Sequence, residues 1–403
     1  MKTFYNFALW IALAALGTGV AAAQQTSQNL SSPSPTAAWS QYGFQAAHLS
    51  FNSTENLLTP ANVSSLEWKA AAEVGAPIAS APVVRQGIVY VAAGGTIFAY
   101  QTSDGTPLWS HASCSGVNTV QAALGAQALL VGDGGGDLAA YDPVTGAQIW
   151  CRDEGGSITA APTVNGNVVY ITNGASVVAV DQLTGTQQWR FTPSDFSPVT
   201  NTPAVLKNIV YVSGGGSVFA LNGKSGRQIW RTNLQTCCNI SAPTVAGNTV
   251  YVGGQNLYAL RASNGSLLWT QTVIGTNVSM PAIAYGKVFV NSQDAQFGLF
   301  AFDASSGSLL WRTIVTEESL ATVTVANGVI YDISDTSGPY AGVLVMIDPD
   351  TGTVLGSVAD PDGTPFNSLF RSQPAVVNGT LYVPTGSDPS LGVPNRVDIF
   401  RLP

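Results

Sequence analysis

The stretch Ala140-Tyr141-Asp142-Pro143-Val144-Thr145-Gly146-Ala147-Gln148-Ile149-Trp150 decides the fold, because it recurs. Ala179 to Trp189 repeats it with Asp181, Thr184 and Gly185 in step, and Ala301 to Trp311 repeats it nearly so. Tryptophans 68, 109, 150, 189, 230, 269 and 311 are separated by 41, 41, 39, 41, 39 and 42 residues. From the second of them onward a glycine stands four residues earlier: Gly105, Gly146, Gly185, Gly226, Gly265 and Gly307. Self-similarity at a fixed period marks a chain built from stacked units that bury their apolar faces against one another.

Each unit holds four short runs rich in Val, Ile, Tyr and Phe, separated by Gly, Asn and Asp turn signals. Asn165-Gly166-Asn167 and Ala246-Gly247-Asn248 read as tight turns between the first two runs. The Asp-x-x-Thr-Gly segment before each Trp reads as a second. Four strands per repeat of about 40 residues predict an all-β, eight-bladed β-propeller of four-stranded antiparallel blades. First strands begin near residues 80, 120, 160, 201, 241, 279, 321 and 372. The eighth copy ends at Pro403 without a fourth strand, and Leu66-Glu67-Trp68 is a fourth strand without a blade. We expect the strand around Trp68 to complete blade eight and close the ring, leaving no open edge. We read all seven tryptophans, Trp68 included, as blade-packing residues. The seventh copy departs from the pattern, with Gly356 at its Trp position.

Charged residues are only 9% of the chain, and the net charge is −8. That balance speaks against nucleic acid, whose phosphates call for basic stripes. Lys2, the apolar run from Phe7 to Val20 and Ala21-Ala22-Ala23 resemble a secretory signal cleaved after Ala23. We therefore expect residues 1–23 to be a signal peptide, 24–37 a disordered linker and 38–403 one propeller domain, secreted or periplasmic. No later run is long enough to predict a membrane span. In an oxidising compartment the four cysteines, Cys114, Cys151, Cys237 and Cys238, allow two disulfides in three connectivities. Cys114 and Cys151 follow the Trp strands of neighbouring blades, which suggests one inter-blade bridge. Cys237 and Cys238 are then bonded to each other or free.

The Ala140–Trp150 stretch is similar to the tryptophan-docking motif of the pyrroloquinoline-quinone (PQQ) repeat. Leu58-Thr59-Pro60-Ala61-Asn62-Val63-Ser64-Ser65-Leu66-Glu67-Trp68 resembles the closing segment of the same superfamily, and the likeness spans about residues 38–403. That superfamily includes quinoprotein alcohol dehydrogenases, which use PQQ and calcium, and a non-catalytic propeller that helps assemble outer-membrane proteins. Fold is implied strongly and function weakly. In the dehydrogenases a vicinal disulfide lies against the quinone, in a loop entering an inner strand, and Cys237-Cys238 occupy a similar place. No Arg follows the pair here, and no segment matches the calcium ligands or the catalytic Asp.

In an up-and-down blade the Asn-Gly and Thr-Gly turns share one face, and the longer, irregular loops share the other. Binding residues concentrate on variable loops held by a rigid scaffold, so the second face is the expected functional one. Three readings of Cys237-Cys238 stay open: a strained loop staple, a quinone platform and a redox switch. Asp360-Pro361-Asp362-Gly363 is a fragment of a calcium loop, Arg396 could brace loops or bind an anion, and Asp153-Glu154 reads as a solvated pair. No metal ligand set or catalytic residue is assigned. The expected function is a monomeric, non-enzymatic binding or scaffold module for a protein or small-molecule ligand on the variable-loop face. The alternative is a PQQ- and calcium-dependent quinoprotein dehydrogenase oxidising alcohols or sugars.

Overall fold

Each repeat folds into one antiparallel sheet whose strands follow chain order. In the third they are Thr163–Asn165, Val168–Thr172, Val177–Asp181 and Gln187–Phe191. The two middle strands are almost wholly buried on both faces, so they read as continuous apolar runs. The outer strand is largely exposed around a buried Trp189. A computed structural model of the chain describes residues 38–78, 81–118, 122–195, 197–234, 240–272, 277–293, 298–315, 321–334, 342–363, 366, 373–385 and 395–403. The expected signal peptide, the linker, Cys237 and Cys238 lie outside the described residues. Eight such sheets form an all-β propeller.

A glycine, a tryptophan and a turn carbonyl join each blade to the next. Trp189 Nε1 donates to Gly223 O at 2.8 Å, Trp230 Nε1 to Ala262 O at 2.8 Å, and Trp150 Nε1 to Gln182 O at 3.0 Å. Trp109, Trp269 and Trp311 make the same bond at 3.2–3.3 Å. The second-strand tyrosine often donates to the same carbonyl, as Tyr211 does to Ala262 O at 3.3 Å. The glycine four residues before each Trp therefore does more than turn the chain. Gly226 sits at φ +68° and a Cβ there would lie 2.5 Å from the Trp189 ring. Backbone sterics and inter-blade packing thus require glycine at the same position. The preceding Asp or Asn fixes the turn: Asp181 Oδ1 accepts from the backbone N–H of Leu183 and Thr184, both at 3.0 Å.

The ring closes as expected, with Glu67–Glu73 pairing antiparallel to the C-terminal strand Arg396–Arg401. Trp68, however, does not belong to the docking series. Docking tryptophans pair across their blade with an alanine, as Trp189 does with Ala179, which in turn faces Tyr170. In blade eight Tyr382 faces Ile399, and Ile399 pairs with Ala70. Ala70 thus holds the docking register, and Trp68 is 40% exposed. Its Nε1 donates to Asp398 Oδ1 at 2.9 Å. At the seam a Cβ on Gly105 would meet the Ala71 carbonyl at 2.0 Å, so backbone packs on backbone. Gly356 has a related cause. The 3-10 turn Val63–Ser65 crosses blade seven there, with Ser64 Cα 3.2 Å from where a Gly356 Cβ would stand.

Sequence reasoning missed what residues 38–52 do. They enter the axis beside blade one, where Ala38 pairs with Arg85 and Trp39 with Val84. They then visit the remaining inner strands in order. Ser40 O accepts from Leu124 N at 2.7 Å, and Gln41 Oε1 from Val164 N at 2.8 Å. Ala46 O, Ala47 O, Leu49 O and Ser50 O accept from Val205, Val245, Ile283 and Val325 at 2.6–2.9 Å. Asn52 Nδ2 donates to Val376 O at 2.7 Å in blade eight. One turn of chain thus bonds to the inner strand of all eight blades.

The docking geometry sets two alanine substitutions apart. Gly226→Ala combines a positive φ with overlap on Trp189 and should destabilise by roughly 3–5 kcal/mol. Gly247→Ala, at φ +59° with open space around it, should cost only about 1–2 kcal/mol. Urea unfolding of both variants against the parent checks the difference; equal losses would remove the packing role given to the glycine.

Candidate functional site

Because strands run antiparallel in chain order, the described ends of the loops from one blade to the next, and from second to third strand, lie on one face. Their ends are braced by arginines that the strands project. Arg190, next to Trp189 on the outer strand of blade three, pairs with Glu154 at 3.2 Å in the preceding loop. Arg231, next to Trp230, pairs with Asp195 at 2.6 Å and lies over the Phe219 ring. Glu154 is therefore not a solvated acid. It is buried, and burial raises its pKa against the opposing pull of Arg190. Asp153 beside it stays exposed.

Among the described residues the densest cluster of ion pairs joins blades seven and eight. Arg396, on the third strand of blade eight, bonds Asp360 in the loop between them. It also lies 2.9 Å from Asp362, 3.1 Å from Asp398 and 3.6 Å from Glu73 of the closing strand. Asp398 is fully buried, accepts from Trp68 and bonds Thr385, and burial pushes its pKa up to about 7. The segment Asp360–Gly363 thus carries a cation already, the Arg396 guanidinium, at the place where its sequence suggested calcium. Arg396 acts as the brace.

A second buried acid stands between blades six and seven. Asp332 lies on Val329–Ile333, where other blades carry apolar residues such as Ile171, Val212 and Val252. Its Oδ1 accepts from Asn291 Nδ2 at 2.8 Å, and Asn291 Nδ2 also donates to Ala321 O at 3.1 Å. Among the described residues, Asp332 Oδ2 and Asn291 Oδ1 have no hydrogen-bond partner. Burial raises Asp332 to about 7 against the bond from Asn291. No sequence motif flagged this pair; the signal was a lone Asp in an otherwise apolar second strand.

At the axis, Tyr42, Ala161, Ala242 and Met280 pack together, and Tyr42 Oη lies 3.1 Å from Thr322 Oγ1. His48 is fully buried, with Nδ1 3.1 Å from Pro243 O and Nε2 3.3 Å from Thr163 Oγ1. Burial holds its pKa down to about 4. Cys114 and Cys151 form a disulfide between blades one and two, with Cα atoms 6.5 Å apart. Among the described residues no group of three or more His, Cys, Asp or Glu is placed to hold a metal ion.

The family model described as outer membrane protein assembly factor BamB matches residues 44–173, 115–237 and 215–386. No curated protein matches the sequence. Among solved structures, BamB from Moraxella catarrhalis aligns with a TM-score of 0.66 at 17% identity, covering 83% of this chain and 99% of that one. A quinohemoprotein alcohol dehydrogenase from Comamonas testosteroni aligns at 0.72 and 16% identity, covering 92% and 81%. The computationally designed Ika8 protein aligns at 0.68 and 17%, covering 83% and 99%. Likeness at these identities is likeness of fold.

Asp332 and His48 act oppositely on stability. Asp332 is raised from 3.8 to about 7, so the folded state holds its proton more tightly, and stability falls as pH rises between those values. His48 is lowered from 6.5 to about 4, so its contribution is lost as pH falls through that interval. Asp332→Asn keeps an acceptor for Asn291 and removes only the first slope. Thermal melts from pH 4 to 8 should show the variant more stable than the parent above pH 7 and losing stability more steeply toward pH 4. Parallel profiles would show that Asp332 does not titrate in this range.

Proposed function

The chain belongs to the family described as outer membrane protein assembly factor BamB, a family of PQQ-repeat β-propellers, and from that premise we propose that it is an exported, non-enzymatic scaffold that holds a protein partner on its variable-loop face. The observation that carries this reading is how the ionisable groups on that face are used. Glu154, Asp195 and Asp360 are each tied to an arginine on a neighbouring strand. Loop ends held this way are pre-ordered, which lowers the ordering cost of protein binding. The axis behind them is occupied by residues 38–52. Ala38 sits at the short-turn end of blade one, beside Arg85, so an N-terminal tether would leave the opposite face open to a partner. Export rests on the signal-like residues 1–23, and an oxidising destination suits the Cys114–Cys151 bond.

A quinoprotein dehydrogenase is the second reading, favoured by the address of Cys237-Cys238 between Leu234 and Ile240, where blade four hands over to blade five. Two measurements separate the readings. Photo-crosslinkers at exposed Asp153 and Ala359 on the variable face, and at exposed Val144 and Lys224 on the short-turn face, are activated in the native host. The scaffold reading expects a discrete adduct from the first pair only, competed away by excess unlabelled mature protein. Mature protein is also titrated with PQQ and calcium and assayed for dye reduction with alcohols and sugars. Quinone-dependent turnover, or adducts equally from both faces, would overturn the scaffold reading.

A further inference from the structure

The inner strand of a propeller blade is an edge strand, and its axis-facing N–H groups have no partner within the blade. In six consecutive blades one such group, on Leu124, Val164, Val205, Val245, Ile283 and Val325, is met by residues 40–50. Five acceptors are backbone carbonyls and the sixth is the Gln41 side-chain amide. The order of these bonds around the ring is the order of the residues along the chain. Side chains add specificity. Trp39 is fully buried in the core shared by blades eight and one, and His48 bridges Thr163 of blade three and Pro243 of blade five. Residues 38–52 contain no Asp, Glu, Lys or Arg, which suits an enclosed site remote from water. Within the segment, Gly43 at φ +66° lets the chain fold back: a Cβ there would lie 2.6 Å from His48 Cα. Ser50 N then donates to Gly43 O at 2.9 Å.

These are the features of peptide recognition by strand edges. We propose that the axial channel is a binding site for a neutral, folded-back peptide and that residues 38–52 are its resident ligand, held by recognition and not by connection to the rest of the chain. This goes beyond the scaffold reading, which concerns the loop face, and stands or falls separately from it.

The test uses the full chain with a protease recognition sequence inserted between Ser53 and Thr54, both exposed. After folding and cleavage, gel filtration should show the N-terminal fragment eluting with the propeller. A fluorescent synthetic peptide of residues 38–52 should then exchange into the cleaved protein and leave the uncleaved protein unlabelled. The same peptide carrying Gly43→Ala should compete at least ten-fold more weakly, and one carrying His48→Ala likewise. Loss of the fragment on cleavage would overturn the proposal. So would equal exchange of the parent and Gly43→Ala peptides, or no uptake of the parent peptide after a urea step that releases the fragment.

Discussion

The contact between a tryptophan of one blade and a glycine of the next is the constraint on which the ring depends. The indole supplies a large apolar face, and its Nε1 must find an acceptor once buried. The turn carbonyl of the next blade supplies it, as Gly223 O does for Trp189. The glycine lets the turn approach the ring and also adopts the left-handed conformation the turn needs. One residue thus satisfies the local geometry and the inter-blade geometry together. Repeated around the molecule, this pairing sets the angle between blades, and the angle decides how many blades close.

Closure needs a different solution, because the chain must begin and end somewhere. The N-terminal segment supplies it twice over. Its later part crosses blade seven at Gly356 and completes blade eight, where Ala70 and the Ala71 backbone replace the indole. Its earlier part runs around the axis and bonds each inner strand in turn. In a propeller without such a segment these backbone donors would have to be met by water or a ligand. Here the donors are satisfied from within the chain, and among the described residues of the loop face Glu154, Asp195 and Asp360 are engaged in bracing, with Arg396 bonded to several acids at once.

The blades were legible in the sequence because repetition states the same physical requirement many times. Eight inner strands, the turns, and the closing role of the segment at Trp68 all followed from the period. The error at Trp68 has a simple cause. A bulge between Trp68 and Ala70 shifts the register, and Ala70 lies 39 residues before Trp109 where Trp68 lies 41 before it. Both spacings occur elsewhere in the series, so spacing alone could not choose. The axial segment was not legible because it matches no repeat. Its content of Trp39, Tyr42, Phe44 and His48 before the first blade was the available hint. Asp332 and Glu154 look like ordinary acids in sequence, and only the packing of neighbouring blades shows that they are buried.

Central to this account is an axis sealed by residues 38–52, which leaves the loop face as the working surface. Amide hydrogen exchange read at single residues tests it most directly. The N–H groups of Leu124, Val164, Val205, Val245, Ile283 and Val325 should exchange as slowly as those of the buried second strands. Rapid exchange at these six positions, with the second strands still protected, would show an open channel and contradict it.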